Sequence, residues 1–131
     1  MNAKILTGGI TGSVMMTAFS YAVDRKKEIP LYNLLEGKVN TPGGWLIHMG
    51  AGFLFTSLYH VIWKNTRLKP TTITGLTFGS VNGIMSMILW RMIANARSNQ
   101  YSLYRNLFLA HLIFGMSSAI GYRLGRTTKA A

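Results

Sequence analysis

Four stretches of the chain, 5–23, 44–63, 71–90 and 106–122, carry no Lys, Arg, Asp or Glu, while charged residues crowd the segments between them. About 20 residues without charge is the length an α-helix needs to cross a hydrocarbon layer of ~30 Å. Helices at the surface of a water-soluble bundle need a charged outer face, and none of these four has one. The pattern therefore predicts an all-α, integral membrane, up-down-up-down four-helix bundle. Its spans are expected at about 5–23, 44–63, 71–92 and 106–123 of a single transmembrane domain covering 1–131.

The connections support the same reading. Between the first two spans, Pro30 to Gly37 reads as a short helix over about 30–36. Its Leu31, Leu34 and Leu35 fall on one face, which suits the headgroup plane. Thr41-Pro42-Gly43-Gly44 reads as a turn, and Pro70 is tolerated where the third span begins. Trp45, Trp63, Trp90, Tyr21, Tyr59, Tyr101, Tyr104 and Tyr122 lie near span ends, as in the aromatic belts of membrane proteins. The first span could be mistaken for a cleaved signal, but Gly8, Gly9 and Gly12 are poor in a signal core, so it is read as retained.

Composition changes this picture only in part. The chain is 49% hydrophobic, and its mean hydropathy of +0.23 is modest. Gly, Ser and Thr inside the spans lower that average without adding charge. Net charge is +11, from 14 basic residues against three acids. Nucleic-acid binders carry such charge on a solvated face or along a helix. Here it sits in termini, loops and last helical turns, where the expected partner is a lipid bilayer with anionic headgroups and not nucleic acid. Basic residues divide evenly between the two sides. Clusters beside the second connection and the tail favour cytoplasmic termini and a multi-pass protein of the cell inner membrane. Without cysteine, thiolate catalysis and disulfides are excluded.

Residues four apart share a helix face, so the glycines of Gly75-x-x-x-Gly79-x-x-x-Gly83 form a groove that another backbone can enter. Gly8 and Gly12 in the first span, and Gly121 and Gly125 in the fourth, repeat the spacing. All seven are expected to pack helices, within this bundle or against a second copy.

His48 and His111 stand near the starts of the second and fourth spans. In the predicted bundle those spans run parallel, which puts both imidazoles at similar depth. Ionisable groups in a membrane raise a functional question. Both could bind a cofactor, with haem or a pigment as candidates, or pass a proton, or simply brace the helices. Two histidines without an acidic or thiol partner are too few for most metal sites, so no metal is expected. Asn82, near the centre of the third span, is read as a polar bond between helices. The spans hold no carboxylate, which removes acid/base pairs and carboxylate-driven ion coupling. The expectation is a non-enzymatic structural or accessory subunit, as a homo-oligomer or within a larger membrane complex, with no obligatory cofactor. The alternatives are a small transporter or channel with a polar path near Asn82, His48 and His111, or a haem- or pigment-binding subunit.

Several short motifs recur in order. They are Gly9-x-x-Gly12-Ser13-x-x-Met16-Thr17, then Gly44-Trp45-x-x-His48, then Gly75-x-x-x-Gly79. In the fourth span come His111-x-x-x-Gly115 and Gly121-Tyr122-x-x-Gly125. This order resembles small four-span bacterial membrane proteins of uncharacterised function. The resemblance implies a membrane location and a helical bundle, and no activity. The mitochondrial inner-membrane translocases also have four glycine-rich spans, but their basic–acidic loop signature is missing.

Overall fold

The computed structural model describes residues 2–23, 42–93 and 101–125, and there the chain is all helix with no strand. Four helices follow in order: α1 (Ala3–Val23), α2 (Pro42–Asn65), α3 (Thr72–Ile93) and α4 (Tyr101–Leu124). The expected surface helix at 30–36 and all three acids lie outside the described residues.

Local chemistry sets several ends. Asn2 caps α1, its Oδ1 accepting from the Lys4 N–H at 3.2 Å. At α3 the cap is reciprocal: Thr71 N–H donates to Thr74 Oγ1 at 3.0 Å, and Thr74 N–H to Thr71 Oγ1 at 3.3 Å. A threonine thus fills the place a glutamate takes in the usual capping box, which suits a chain this poor in acids. Helix α4 starts at Tyr101, earlier than the charge-free stretch suggests, because Arg105 interrupts apolarity but not helix formation.

The helices alternate in direction. Gly9 of α1 lies beside Phe53 of α2, Gly12 beside Phe114 of α4, and Gly79 of α3 beside Leu112 of α4. Helix α4 is the hub and makes the broadest contacts, with α1 on one side and α3 on the other, while α2 rests on α1. Aromatic rings close the remaining seam. Tyr59 of α2 stacks near Phe78 of α3, with centroids 4.8 Å apart, and Trp63 lies at the same distance from Tyr122 of α4.

The outer surface is apolar, and small hydroxyls share the interior with a buried aromatic cluster. Ser13, Thr56, Ser118 and Ala119 are each 0% exposed. Large apolar side chains face outward on every helix, among them Val14, Leu46 (76% exposed), Leu58, Ile73 (75%), Ile88 and Ile120. Two helices are long and apolar enough to cross a membrane, over Thr72–Leu89 and Tyr104–Leu124. Among the described residues the other two do not reach that level.

Candidate functional site

The polar residues expected to carry function are distributed over three different seams. His48 of α2 faces α1. Its Nε2 lies 2.9 Å from Thr17 Oγ1 and 3.3 Å from the Ser13 carbonyl oxygen. A carbonyl only accepts, so this nitrogen carries the hydrogen. The Thr17 hydroxyl sends its own hydrogen to the same Ser13 oxygen at 2.8 Å. A histidine from one helix thus meets a carbonyl and a hydroxyl exposed by one turn of another.

His111 of α4 faces α3 and is buried. Nδ1 lies 2.8 Å from the Leu107 carbonyl oxygen one turn earlier, which makes Nδ1–H the donor. In the neutral ring Nε2 is then an acceptor, and the Ser86 hydroxyl donates to it at 2.9 Å. Both nitrogens are committed. An incoming haem iron or proton donor would have to displace Ser86 or break the bond to Leu107. A serine that donates to an oriented imidazole has the hydrogen-bond pattern of a nucleophile pair. A cavity of about 710 Å3 lined by described residues lies towards the other end of the helices, and Ser86 is not among its lining residues.

Asn82 occupies the α2–α3 seam, where its Nδ2 donates to the Tyr59 hydroxyl. That tyrosine, 3% exposed, belongs to a buried cluster with Trp63, Phe114 and Tyr122, against which Phe55 and Phe78 pack. Three aromatics expected at the membrane boundary therefore point inward instead. Position along a helix indicates depth, whereas direction around it depends on the neighbours. The spacing Phe55-x-x-x-Tyr59-x-x-x-Trp63 carried that signal, since residues four apart share a face. His60 likewise turns inward and pairs with the Tyr122 hydroxyl.

The glycines divide by what they meet. On α3 two of them meet backbone, a Cβ on Gly75 striking the Gly115 carbonyl and one on Gly79 the His111 carbonyl, while one on Gly83 would meet the Phe108 side-chain ring at 2.8 Å. Around α1 they mostly meet hydroxyl side chains. Gly8 faces Thr56, Gly12 faces Ser118, Gly121 faces Thr11 and Gly125 faces Thr7. Two contributors outside the expected set, Gly52 and Gly115, are just as close, Gly52 against Ser13 and Gly115 against Gly75 and Gly79. The spacings Gly52-x-x-x-Thr56 and Gly115-x-x-x-Ala119 could have found them. The hydroxyls of Ser13, Thr56 and Ser118 have no hydrogen-bond partner, so they act there as small fillers.

Taken together, these groups tie helix to helix, and His48, His111 and Asn82 share no common partner among the hydrogen bonds described above. Compared with protein-family models, curated proteins and solved structures, the chain matches none.

Proposed function

We propose that this chain is a four-span integral membrane protein that works by assembly, as a structural or accessory subunit of a homo-oligomer or a larger membrane complex. The observation that carries this reading is the apolar outer surface. Leu, Ile, Val and Met side chains are exposed along the helices, while small hydroxyls and close-packed glycines share the interior with Tyr59, Trp63, Phe114 and Tyr122. Soluble monomers rarely expose contiguous apolar patches larger than a few hundred Å2. In lipid such a surface is the expected arrangement, because cohesion must come from close packing and polar bonds between helices.

The hydroxyls facing outward support it as well. Thr77, exposed on α3, donates to the Ile73 carbonyl at 3.0 Å, and Ser57 and Ser80 donate to Phe53 and Leu76. A hydroxyl satisfied by its own helix costs little beside hydrocarbon. A residue-by-residue hydropathy average takes no account of that bond. The boundary would then run between the cationic residues 64–69 with Arg123 at one end and Arg91 with Arg105 at the other. The start of α1 and the end of α4 lie on the side of the first group, which is the cytoplasmic one in this reading.

The absence of cysteine makes the test direct. Single-cysteine variants Lys69→Cys and Arg105→Cys should react with a membrane-impermeant maleimide from opposite sides of sealed vesicles. Labelling of both from one side would overturn the four-span topology. Native mass spectrometry after gentle extraction should find an oligomer or a copurifying protein; a lone monomer would overturn the assembly role.

A further inference from the structure

At the end of the molecule where α1 and α3 begin, a cavity of about 710 Å3 opens among the first turn of α1, the α2–α3 connection and the last turns of α2 and α4. Five cationic side chains line it: Lys4, Lys64, Arg67, Lys69 and Arg123. They come from three separate parts of the chain, and the fold is what gathers them. No acid is present among the described residues to offset them. Helix dipoles do not create this field, since two amino ends and two carboxyl ends meet here and largely offset one another. The side chains do.

Like charges brought together repel, and a concave wall with low-dielectric surroundings strengthens the field they share. Five cationic side chains on one concave wall, with no acid among the described residues beside them, favour an anion of two or more charges there. The remaining lining suits such a guest. Tyr122 and His60 hold each other in place, Lys4 lies 6.0 Å from the centre of the Tyr122 ring, and Trp63 lines the cavity with no acceptor for its buried indole N–H. The volume falls within the range of about 300–1,000 Å3 typical of small-ligand sites.

We infer that this basin is a binding site for a phosphate group, carried either by an anionic lipid headgroup or by a free phosphate compound. Arg67 and Lys69, on the exposed connection, reach the phosphate from the water side, and Lys4, Lys64 and Arg123 surround it from the helix ends. Guanidinium pairing with phosphate oxygens in two parallel bonds gives the two arginines, Arg67 and Arg123, the largest shares. The lipid source rests on the membrane reading above, whereas the free-phosphate source needs only the cavity.

The full-length protein in a neutral detergent is titrated calorimetrically with three probes: dihexanoyl-phosphatidylglycerol, dihexanoyl-phosphatidylcholine and inorganic pyrophosphate. Saturable binding of the glycerol lipid alone assigns the headgroup source. Binding of pyrophosphate, with or without the lipid, assigns free phosphate. Arg67→Gln with Lys69→Gln should weaken either by at least about tenfold. Arg91→Gln with Arg105→Gln removes the same charge at the other end and should change affinity by less than about twofold. If the first pair proves unstable, Lys64→Gln is read in its place. Failure of every anion to bind, equal binding of the zwitterionic lipid, or equal weakening by the distal pair would overturn the site. None of these outcomes depends on the labelling pattern that tests topology.

Discussion

The two long seams of α4 use glycine in different ways. Against α3, glycine removes a side chain so that two backbones meet: Gly75 and Gly79 lie on Gly115 and the His111 carbonyl. Against α1, and again between α1 and α2, glycine makes room for a hydroxyl, as in the pairs Gly12–Ser118 and Gly52–Ser13, whereas Gly121 meets both the Thr11 side chain and the Thr7 carbonyl. The first arrangement cannot adjust, because a peptide carbonyl has no shorter version. The second can, because a serine can lose its oxygen. Identical spacing in the sequence therefore hides two levels of tolerance.

The largest test of that difference is Gly115→Ala. Its new methyl would lie against the Gly75 carbonyl and 2.8 Å from the Gly79 Cα, at a cost of about 3 kcal/mol. No trimming of a partner should recover it, as read by unfolding in a mixed-detergent titration followed by circular dichroism. Recovery by a substitution on α3 would break the comparison.

Gly52→Ala is the matching test on the soft seam. It should cost about 2 kcal/mol alone. With Ser13→Ala most of that should return, since the remaining neighbours, the Gly9 carbonyl at 3.2 Å and the Phe114 ring at 3.4 Å, lie near ordinary contact. A double variant as unstable as the single would mean that the hydroxyl is not what limits the space.

Polar bonds between helices should rank lower. Ser86→Ala removes the donor to His111 Nε2 and should cost about 1 kcal/mol, the usual worth of such a bond in a membrane protein. A cycle of Asn82→Leu with Tyr59→Phe should give a coupling of about 0.6 kcal/mol. The smallest effect belongs to Gly50, beside which nothing lies within 4 Å of an added Cβ. Gly50→Ala should leave stability unchanged or raise it by up to about 1 kcal/mol through helix propensity. Loss of stability there would reveal a contact made only in an assembly.

Much of the fold was legible because charge and spacing are one-dimensional properties. The uncharged lengths placed four helices, since an acid or a lysine in such a stretch would have nowhere to go. The four-residue spacing of Gly75, Gly79 and Gly83 marks one face whichever helix covers it. Partners were not legible. Nothing local distinguishes Gly12, which meets a serine, from Gly79, which meets a carbonyl. Tyr59, Trp63 and Tyr122 stand at the right height for a boundary belt and turn inward because α2 meets α3 and α4 there through rings. His48 and His111 looked like a pair because they share a level, but Thr17 engages one and Ser86 the other. The basic cavity was hidden for the same reason, because Lys4 and Arg123 are almost the whole chain apart.

The broad contact between α1 and α4 has a consequence for how the molecule is made. Synthesis makes α2 and α3 before α4, so the surface around Gly8, Gly12 and Ser13 waits through both for its chief cover. A polypeptide ending before α4 would keep that surface exposed for good, which makes α4 the latch of the bundle.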